Sequence, residues 1–313
     1  HIEQQDVYVP ALLGTDGTLE WRRRREKDVL ARQFWTDLRT LLPLLDTKPH
    51  LLVLSRVQTD FQHCRTSNTR PWGSALLCRA KHPNLWHATI ERFPSTVPNN
   101  SLVFPYPART HFRTATHPRP VNTTAKSTLV FGTWRTRFRH RNELKSQCLA
   151  RPGQCEFYEA PRDNGAFDNA LARTRTDAAT FCLQPQGDTP SRSHTWDALL
   201  AICIPVLFAN AFVLPMPFEK RLPWDDMVLR VPREAWGRGK NVVDYLAGVA
   251  PDRVALMQRT IDAHRHVFQY AVETAWPEEA GWTMDEAVAV APEDDALTAG
   301  LKGFMVAALE GSR

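Results

Sequence analysis

The sequence predicts an α/β protein with parallel strands, and two stretches carry this prediction. Residues 181–208 run from a short apolar strand through a turn and a helical pattern into a second apolar strand. Residues 127–148 show a strand, a basic loop and the start of a helix. A strand–helix–strand unit joins parallel strands by a right-handed crossover. The 313 residues suffice for two such domains or for one large one.

The stretch at 181–208 shows each element of the unit. Residues 181–183 read Phe-Cys-Leu, as in a buried strand, and residues 185–191 are rich in turn and helix-start residues. The helical pattern has apolar residues at the 0, 3, 4 and 7 spacing of one face, namely Trp196, Leu199, Leu200 and Cys203. Residues 204–208 predict the second strand.

The start of this helix has the residues of an anion site. Helix N-termini present free N–H groups to anions. Ser193 and Asp197 lie one turn apart beside Arg192, away from the apolar face. The same pattern also fits an ordinary capped and solvated helix, and both interpretations stay open at this point.

A second basic segment follows the strand predicted at 127–132. Its loop carries four arginines, namely Arg135, Arg137, Arg139 and Arg141, before a helix from about Asn142 to Cys148. A strand that ends in a basic loop and a helix start suits an anionic group. A solvent-facing arginine cluster is the alternative.

The remaining elements are predicted from periodicity and turn residues. Strands are expected at 51–54, 76–78, 102–104 and 227–231, and helices at 21–45, 241–250, 251–276 and in the acidic, Ala-rich tail. Residues 108–126 contain prolines and threonines without periodicity, which indicates a linker. We therefore expect a first domain at 1–122, a second at 123–276 and a tail at 277–313.

Charge and cysteine content limit the functional classes. A formal charge of +5 is compatible with an anionic substrate and does not require nucleic acid, so no nucleic-acid partner is expected. None of the six cysteines has zinc-like spacing, but a turn separates Cys148 from Cys155, which could pair as a local disulfide. Sequons begin at Asn99 and Asn122. Together these features favour the lumen of the secretory pathway.

The stretch at 181–208 resembles the C-terminal signature of the exostosin-like glycosyltransferases, which build heparan- and xyloglucan-type glycans. That signature has a Phe-Cys-Leu-x-Pro-x-Gly-Asp strand and loop, here residues 181–188. Ser and Arg residues, an acidic helix residue and Cys-Ile-Pro-Val follow, here Ser191, Arg192, Asp197 and residues 203–206. Weaker similarities lie in the same order at 6–10, 52–64, 102–107 and 129–144.

The resemblance implies a GT-B fold, with two Rossmann-like lobes facing a cleft and an incomplete N-terminal lobe. It implies an inverting transfer of sugar from a nucleotide-sugar donor, a UDP-sugar, to a polysaccharide or glycan acceptor, without cofactor or bound metal. It also implies a Golgi enzyme, anchored through an N-terminal segment missing from this sequence. A dimer with itself or with a related transferase is a further expectation.

The resemblance also suggests roles for individual residues. The donor diphosphate is expected to contact five residues, namely Arg135, Arg141, Ser191, Arg192 and Ser193, and Asp197 to accept hydrogen bonds from the ribose. Asp60 is the expected catalytic base, with His63 and His111 as alternatives.

The sequence departs from the family pattern before Asp60, where Thr59 replaces the usual histidine. A non-catalytic relative that binds nucleotide or glycan is therefore the alternative function. A glycoside hydrolase is disfavoured because no pair of acidic residues stands out for it.

Overall fold

The computed structural model describes residues 36–37, 46–54, 83–91, 100–108, 126–160, 168–187, 189–208, 216–270 and 295–311. They belong to two compact units, the first comprising His1–Phe104 and Val306–Arg313 and the second Pro105–Met305. Each unit contains a sheet of parallel strands. The predicted α/β class is therefore confirmed. The boundary predicted between residues 122 and 123 lies outside the described residues and stays a prediction.

The sheet of the first unit has three parallel strands in the order β1-β2-β3. These are β1 (His50–Val53), β2 (Leu85–Thr89) and β3 (Ser101–Val103). The strands predicted at 51–54 and 102–104 are confirmed with a shift of one residue, and the strand predicted at 76–78 lies outside the described residues.

The central strand β2 was missed by the sequence pattern because His87 and Thr89 interrupt its apolar run. All five of its residues are buried. Burial lowers the pKa of His87 to about 4, so this imidazole is neutral near pH 7.

The second unit alternates strands and helices around a five-stranded parallel sheet. Its strands are β4 (Thr128–Trp134), β5 (Cys155–Glu159), β6 (Ala179–Gln184), β7 (Ile204–Phe208) and β8 (Leu229–Val231). Its helices are α1 (Arg139–Leu149), α2 (Asn169–Ala178), α3 (His194–Leu200), α4 (Val242–Ala247) and α5 (Pro251–His264). A last helix, α6 (Ala296–Gly311), confirms the helix predicted in the tail.

The predicted helix from 251 to 276 is shorter than expected, because α5 ends at His264 and a 3-10 turn follows at Arg265–Phe268. The sequence pattern missed β5, where Glu156 and Glu159 bracket two aromatic residues, and α2, whose buried residues are only Ala172 and Thr176.

Within the described ranges, no helix has the length and apolarity needed to cross a membrane.

The predicted strand–helix–strand unit is confirmed as β6, α3 and β7, with β6 and β7 paired in parallel. Trp196, Leu199 and Leu200 are buried in the core, as the apolar spacing predicts. The prediction that Cys203 belongs to the same helix face is wrong. The helix ends at Leu200 because Ile202 adopts a left-handed conformation with φ of 51°.

The second unit contains two disulfides, and each joins residues that lie close together in its local structure. Cys148 is bonded to Cys155 across the turn that follows α1, which confirms the predicted pair. Cys203, which precedes β7, is bonded to Cys182 of β6. All four cysteines are buried. The second disulfide ties two neighbouring strands of the sheet together.

Candidate functional site

The strand order of the second unit fixes one topological switch point. The order is β5-β4-β6-β7-β8, so the chain crosses from β4 outward to β5 and returns to the other side of β4 as β6. Open parallel sheets bind ligands in the crevice at the carboxyl ends of the strands that flank such a point. Here that crevice lies where β4 ends at Trp134 and β6 ends at Gln184.

Arg192 bridges the two strands at this crevice. Its Nη2 donates a hydrogen bond of 2.7 Å to the carbonyl of Thr133 in β4. Its Nη1 donates to the carbonyl of Leu183 and to Oε1 of Gln184 in β6, each at 3.4 Å. Because a guanidinium has five N–H donors, two of them remain without a partner among the described residues. These two N–H groups are suited to an anionic ligand.

Arg141 joins the loops that follow the same two strands. It lies in the first turn of α1, and its Nε donates to the carbonyl of Gln186 at 2.9 Å. Its Nη1 donates to the carbonyl of Arg135 at 3.2 Å, and its Nη2 contacts that of Pro185 at 3.5 Å. Arg141 therefore holds the two loops together while adding positive charge to the crevice.

Gly187 is placed against the Arg141 guanidinium. A Cβ atom at this position would lie 2.9 Å from Nη2 of Arg141. That distance is shorter than a normal carbon–nitrogen contact. A side chain at this position would therefore displace the Arg141 guanidinium from its bonds to Gln186 and Arg135.

The electrostatics of the crevice are dominated by the two arginines. Arg192 is partly exposed, and the groups that accept its hydrogen bonds shield part of its guanidinium from water. This desolvation, together with the charge of Arg141, lowers the pKa of Arg192 to about 9, so it stays charged at neutral pH. Asp197 attracts Arg192 and opposes the shift. A bound anion would relieve the repulsion between the two guanidinium groups.

The other predicted donor residues lie around the same two loops. Arg135 is exposed directly after β4, and its side chain has no hydrogen bond or ion pair within the described part of the chain. Ser191 and Ser193 are partly exposed on either side of Arg192, and the Ser193 side chain makes no capping hydrogen bond. Asp197 is 7% exposed in the first turn of α3.

The predicted contacts to an anion are not equally supported by these positions. Because helix α3 has only seven residues, an anion site here depends on the arginine side chains more than on the helix N-terminus. The predicted base Asp60 and its alternatives His63 and His111 lie outside the described residues, and their roles stay predictions.

Three residues of the crevice were not predicted from the sequence. Gln184 had no predicted role of its own, although it ends β6 and accepts from Arg192. His194 begins α3 and contacts Gln184. Thr133 contributes its backbone carbonyl, a group that leaves no signal in a sequence.

The curated relatives found by sequence comparison include plant glycosyltransferases. This chain is 29% identical over 277 residues to the probable xyloglucan galactosyltransferase GT15 of Arabidopsis thaliana, covering 82% of this chain and 56% of that protein. It is 29% identical to the xyloglucan-specific galacturonosyltransferase 1 of the same plant, over 64% of this chain and 31% of that protein. The chain thus spans about half or less of the length of these relatives.

Among solved structures, the chain is similar to the glycosyltransferase WaaG of lipopolysaccharide biosynthesis. The TM-score is 0.36 and the identity 10%, over 76% of this chain and 78% of that chain. The calicheamicin glycosyltransferase CalG4 gives a TM-score of 0.30 at 16% identity, over 57% of this chain and 48% of that chain.

The family model of the exostosin GT47 domain covers both the crevice and the signature. It matches residues 6–246, which include every predicted donor residue and Asp60. The chain therefore belongs to the exostosin GT47 family.

Proposed function

We propose that this chain is the glycosyltransferase part of an enzyme that moves a sugar from a UDP-sugar to a glycan, with inversion at the transferred carbon. The observation that carries this proposal is the position of Arg192. It crosses the switch point of a parallel sheet, has two N–H groups without a partner among the described residues, and feels the positive charge of Arg141. This arrangement occurs in the part of the chain that matches the exostosin GT47 domain.

The chemistry of sugar transfer fits the charge of this crevice. As the glycosidic bond to the diphosphate breaks, negative charge grows on the departing phosphate oxygens. Fixed donors and cations that face this charge lower the barrier. Arg192 supplies directed N–H groups and Arg141 supplies charge, so both act on the leaving group without a bound metal.

The remaining residues take supporting roles in this proposal. Arg135, Ser191 and Ser193 supply further contacts to the diphosphate, and Asp197 accepts from the ribose hydroxyls. Inversion needs a base on the face of the sugar opposite the leaving group, and Asp60 is proposed for it. In the sequence, Asp60 comes after β1.

The names of the relatives suggest a choice of substrates. Galactosyl and galacturonosyl transfer to xyloglucan are named for proteins similar to this one. UDP-galactose and UDP-galacturonic acid are therefore the proposed donors, and a xyloglucan-type chain is the proposed acceptor. The two disulfides favour an oxidising compartment, which supports the Golgi lumen as the site of action.

The proposal is tested by titrating the purified chain with UDP and then assaying transfer. We expect calorimetry to show binding of UDP, and mass spectrometry to show addition of one hexose or hexuronic acid to xyloglucan oligosaccharides. Binding of UDP without transfer from any donor would support the non-catalytic relative. Absence of UDP binding would contradict the proposed site.

A further inference from the structure

A hydrogen-bond network of polar side chains runs from Arg192 to helix α2. Oε1 of Gln184 accepts from Arg192 at 3.4 Å, and Nε2 of Gln184 lies 3.0 Å from Nδ1 of His194. Nε2 of His194 lies 3.1 Å from the hydroxyl of Thr176. That hydroxyl donates to the carbonyl of Ala172 at 2.7 Å. Four groups thus connect the crevice to the backbone of a helix.

The donor–acceptor direction of this hydrogen-bond network is fixed at its α2 end. A hydroxyl has one proton, and Thr176 gives that proton to Ala172, so Thr176 must accept from His194. His194 then carries its proton on Nε2, and its Nδ1 accepts from the amide nitrogen of Gln184. The same amide nitrogen also points to the carbonyl of His194 at 3.4 Å.

The orientation of the Gln184 amide follows from these contacts. With its nitrogen held by His194, its oxygen must face Arg192. A rotated amide would present its N–H groups to the guanidinium, which has only donors. Gln184 and Thr176 are each 1% exposed, so water does not readily replace a partner that is lost.

We propose that Gln184 and His194 are positioning residues for Arg192. The neutral Nε2–H form of His194 orients the Gln184 amide, and the Gln184 oxygen holds one arm of the guanidinium while Thr133 holds the other. The inference rests on the proposed function, in which Arg192 binds the donor diphosphate. It goes beyond that function by assigning the support of this arginine to residues that do not touch the donor.

The test measures UDP affinity by calorimetry in two backgrounds. Gln184→Leu removes the oxygen that accepts from Arg192, so we expect UDP to bind about 3- to 10-fold more weakly. The same substitution in an Arg192→Ala protein should change the affinity less than about 2-fold, because the residue through which Gln184 acts is gone. An equal loss in both backgrounds, or no loss in the first, would overturn the inference.

A second pair of variants tests the α2 end of the network without altering the crevice. Thr176→Val removes the acceptor of His194, and we expect UDP to bind about 2- to 3-fold more weakly. Thr174 makes the equivalent bond to the carbonyl of Ala170 on the exposed side of α2, so Thr174→Val should leave affinity unchanged. Equal effects of the two variants would contradict the inference.

The outcomes separate this inference from the proposed function. If Arg192→Ala leaves UDP affinity intact, the proposed function itself fails. If Arg192→Ala weakens binding while Gln184→Leu and Thr176→Val do not, the proposed function stands and the positioning role fails. Long-range proton–nitrogen correlation spectra of His194 provide an independent check, with the Nε2–H tautomer expected and the Nδ1–H tautomer contradicting the inference.

Discussion

The Nη2 atom of Arg192 lies 2.7 Å from the backbone carbonyl of Thr133. This bond joins the loop after β6 to the end of β4, on the opposite side of the switch point. The arginine is thereby held in the crevice by the sheet itself. Its position follows from parallel strand order more than from its neighbours in sequence.

A lysine cannot replace this arginine. The lysine ammonium is a single point charge on a flexible stem, whereas the guanidinium reaches Thr133 and Leu183 with different nitrogen atoms. We expect Arg192→Lys to lose most of the UDP affinity that Arg192→Ala loses. Calorimetric titration with UDP checks this, and wild-type affinity in Arg192→Lys would show that charge alone suffices.

Gly187→Ala should damage the donor site through Arg141. The new methyl group would lie 2.9 Å from Nη2 of Arg141, and the bonds to Gln186 and Arg135 resist its displacement. We expect weaker UDP binding and a lower melting temperature. The control is Gly303→Ala, where no described atom outside the chain neighbours and the helix's own backbone lies within 4 Å of the added carbon, so stability should stay the same or rise. Equal behaviour of the two variants would contradict this role of Gly187.

The sequence predicts much of the second unit because its pattern is local. The strand, turn and helix at 181–208 follow from apolar spacing and turn residues, and the pair Cys148–Cys155 follows from a short turn. The pair Cys182–Cys203 was not predicted, because it depends on where α3 ends. A left-handed isoleucine is too rare to expect at Ile202.

The site shows the same division between local and long-range information. Arg192 and Arg141 were expected beside an anion, and both lie at the crevice. Their contacts with Thr133, Gln186 and Arg135 involve backbone carbonyls brought together by strand order. No pattern in the sequence specifies such partners, because every residue has a carbonyl.

Thr133→Val should stabilise the unliganded protein. The Thr133 hydroxyl is buried and has no hydrogen-bond partner among the described residues, while its carbonyl keeps the bond to Arg192. Replacing the hydroxyl by a methyl group removes an unsatisfied polar atom, so we expect the free energy of unfolding to rise by about 1 kcal/mol. Urea denaturation measures this change.

The matched control lies on the same strand. Thr128 is also buried, but its hydroxyl donates to Glu156 at 3.0 Å, so Thr128→Val should lower the free energy of unfolding. Opposite signs for the two variants are expected. A loss of stability in Thr133→Val would mean that its hydroxyl has a partner.

Lys126 should make stability rise with pH in the alkaline range. Its ammonium donates to the carbonyls of Asp177 and Ala201. Desolvation, helped by the charge of Arg265, lowers its pKa from 10.5 to about 8. Between these two values the unfolded chain holds a proton that the folded chain has released. The contribution of Lys126 to the free energy of unfolding therefore increases with pH from about 8 to 10.5.

Urea denaturation at several pH values between 8 and 10 checks this expectation. Tyr270, whose pKa is raised by burial, contributes a loss of stability only above pH 10. The wild-type protein should gain stability relative to Lys126→Met across this window. Parallel curves for the two proteins would show that Lys126 titrates normally.

The affinity of UDP for Arg192→Ala tests the central claim most directly. Loss of hydrogen bonds from a charged group costs about 1.5–3 kcal/mol, so we expect binding roughly 10- to 100-fold weaker than in the wild-type protein. Arg175→Ala removes the same charge from a partly exposed pair with Glu156 near the end of α2, and should bind UDP within about 2-fold of wild type. If Arg192→Ala binds UDP as tightly as Arg175→Ala does, the switch-point crevice is not the donor site.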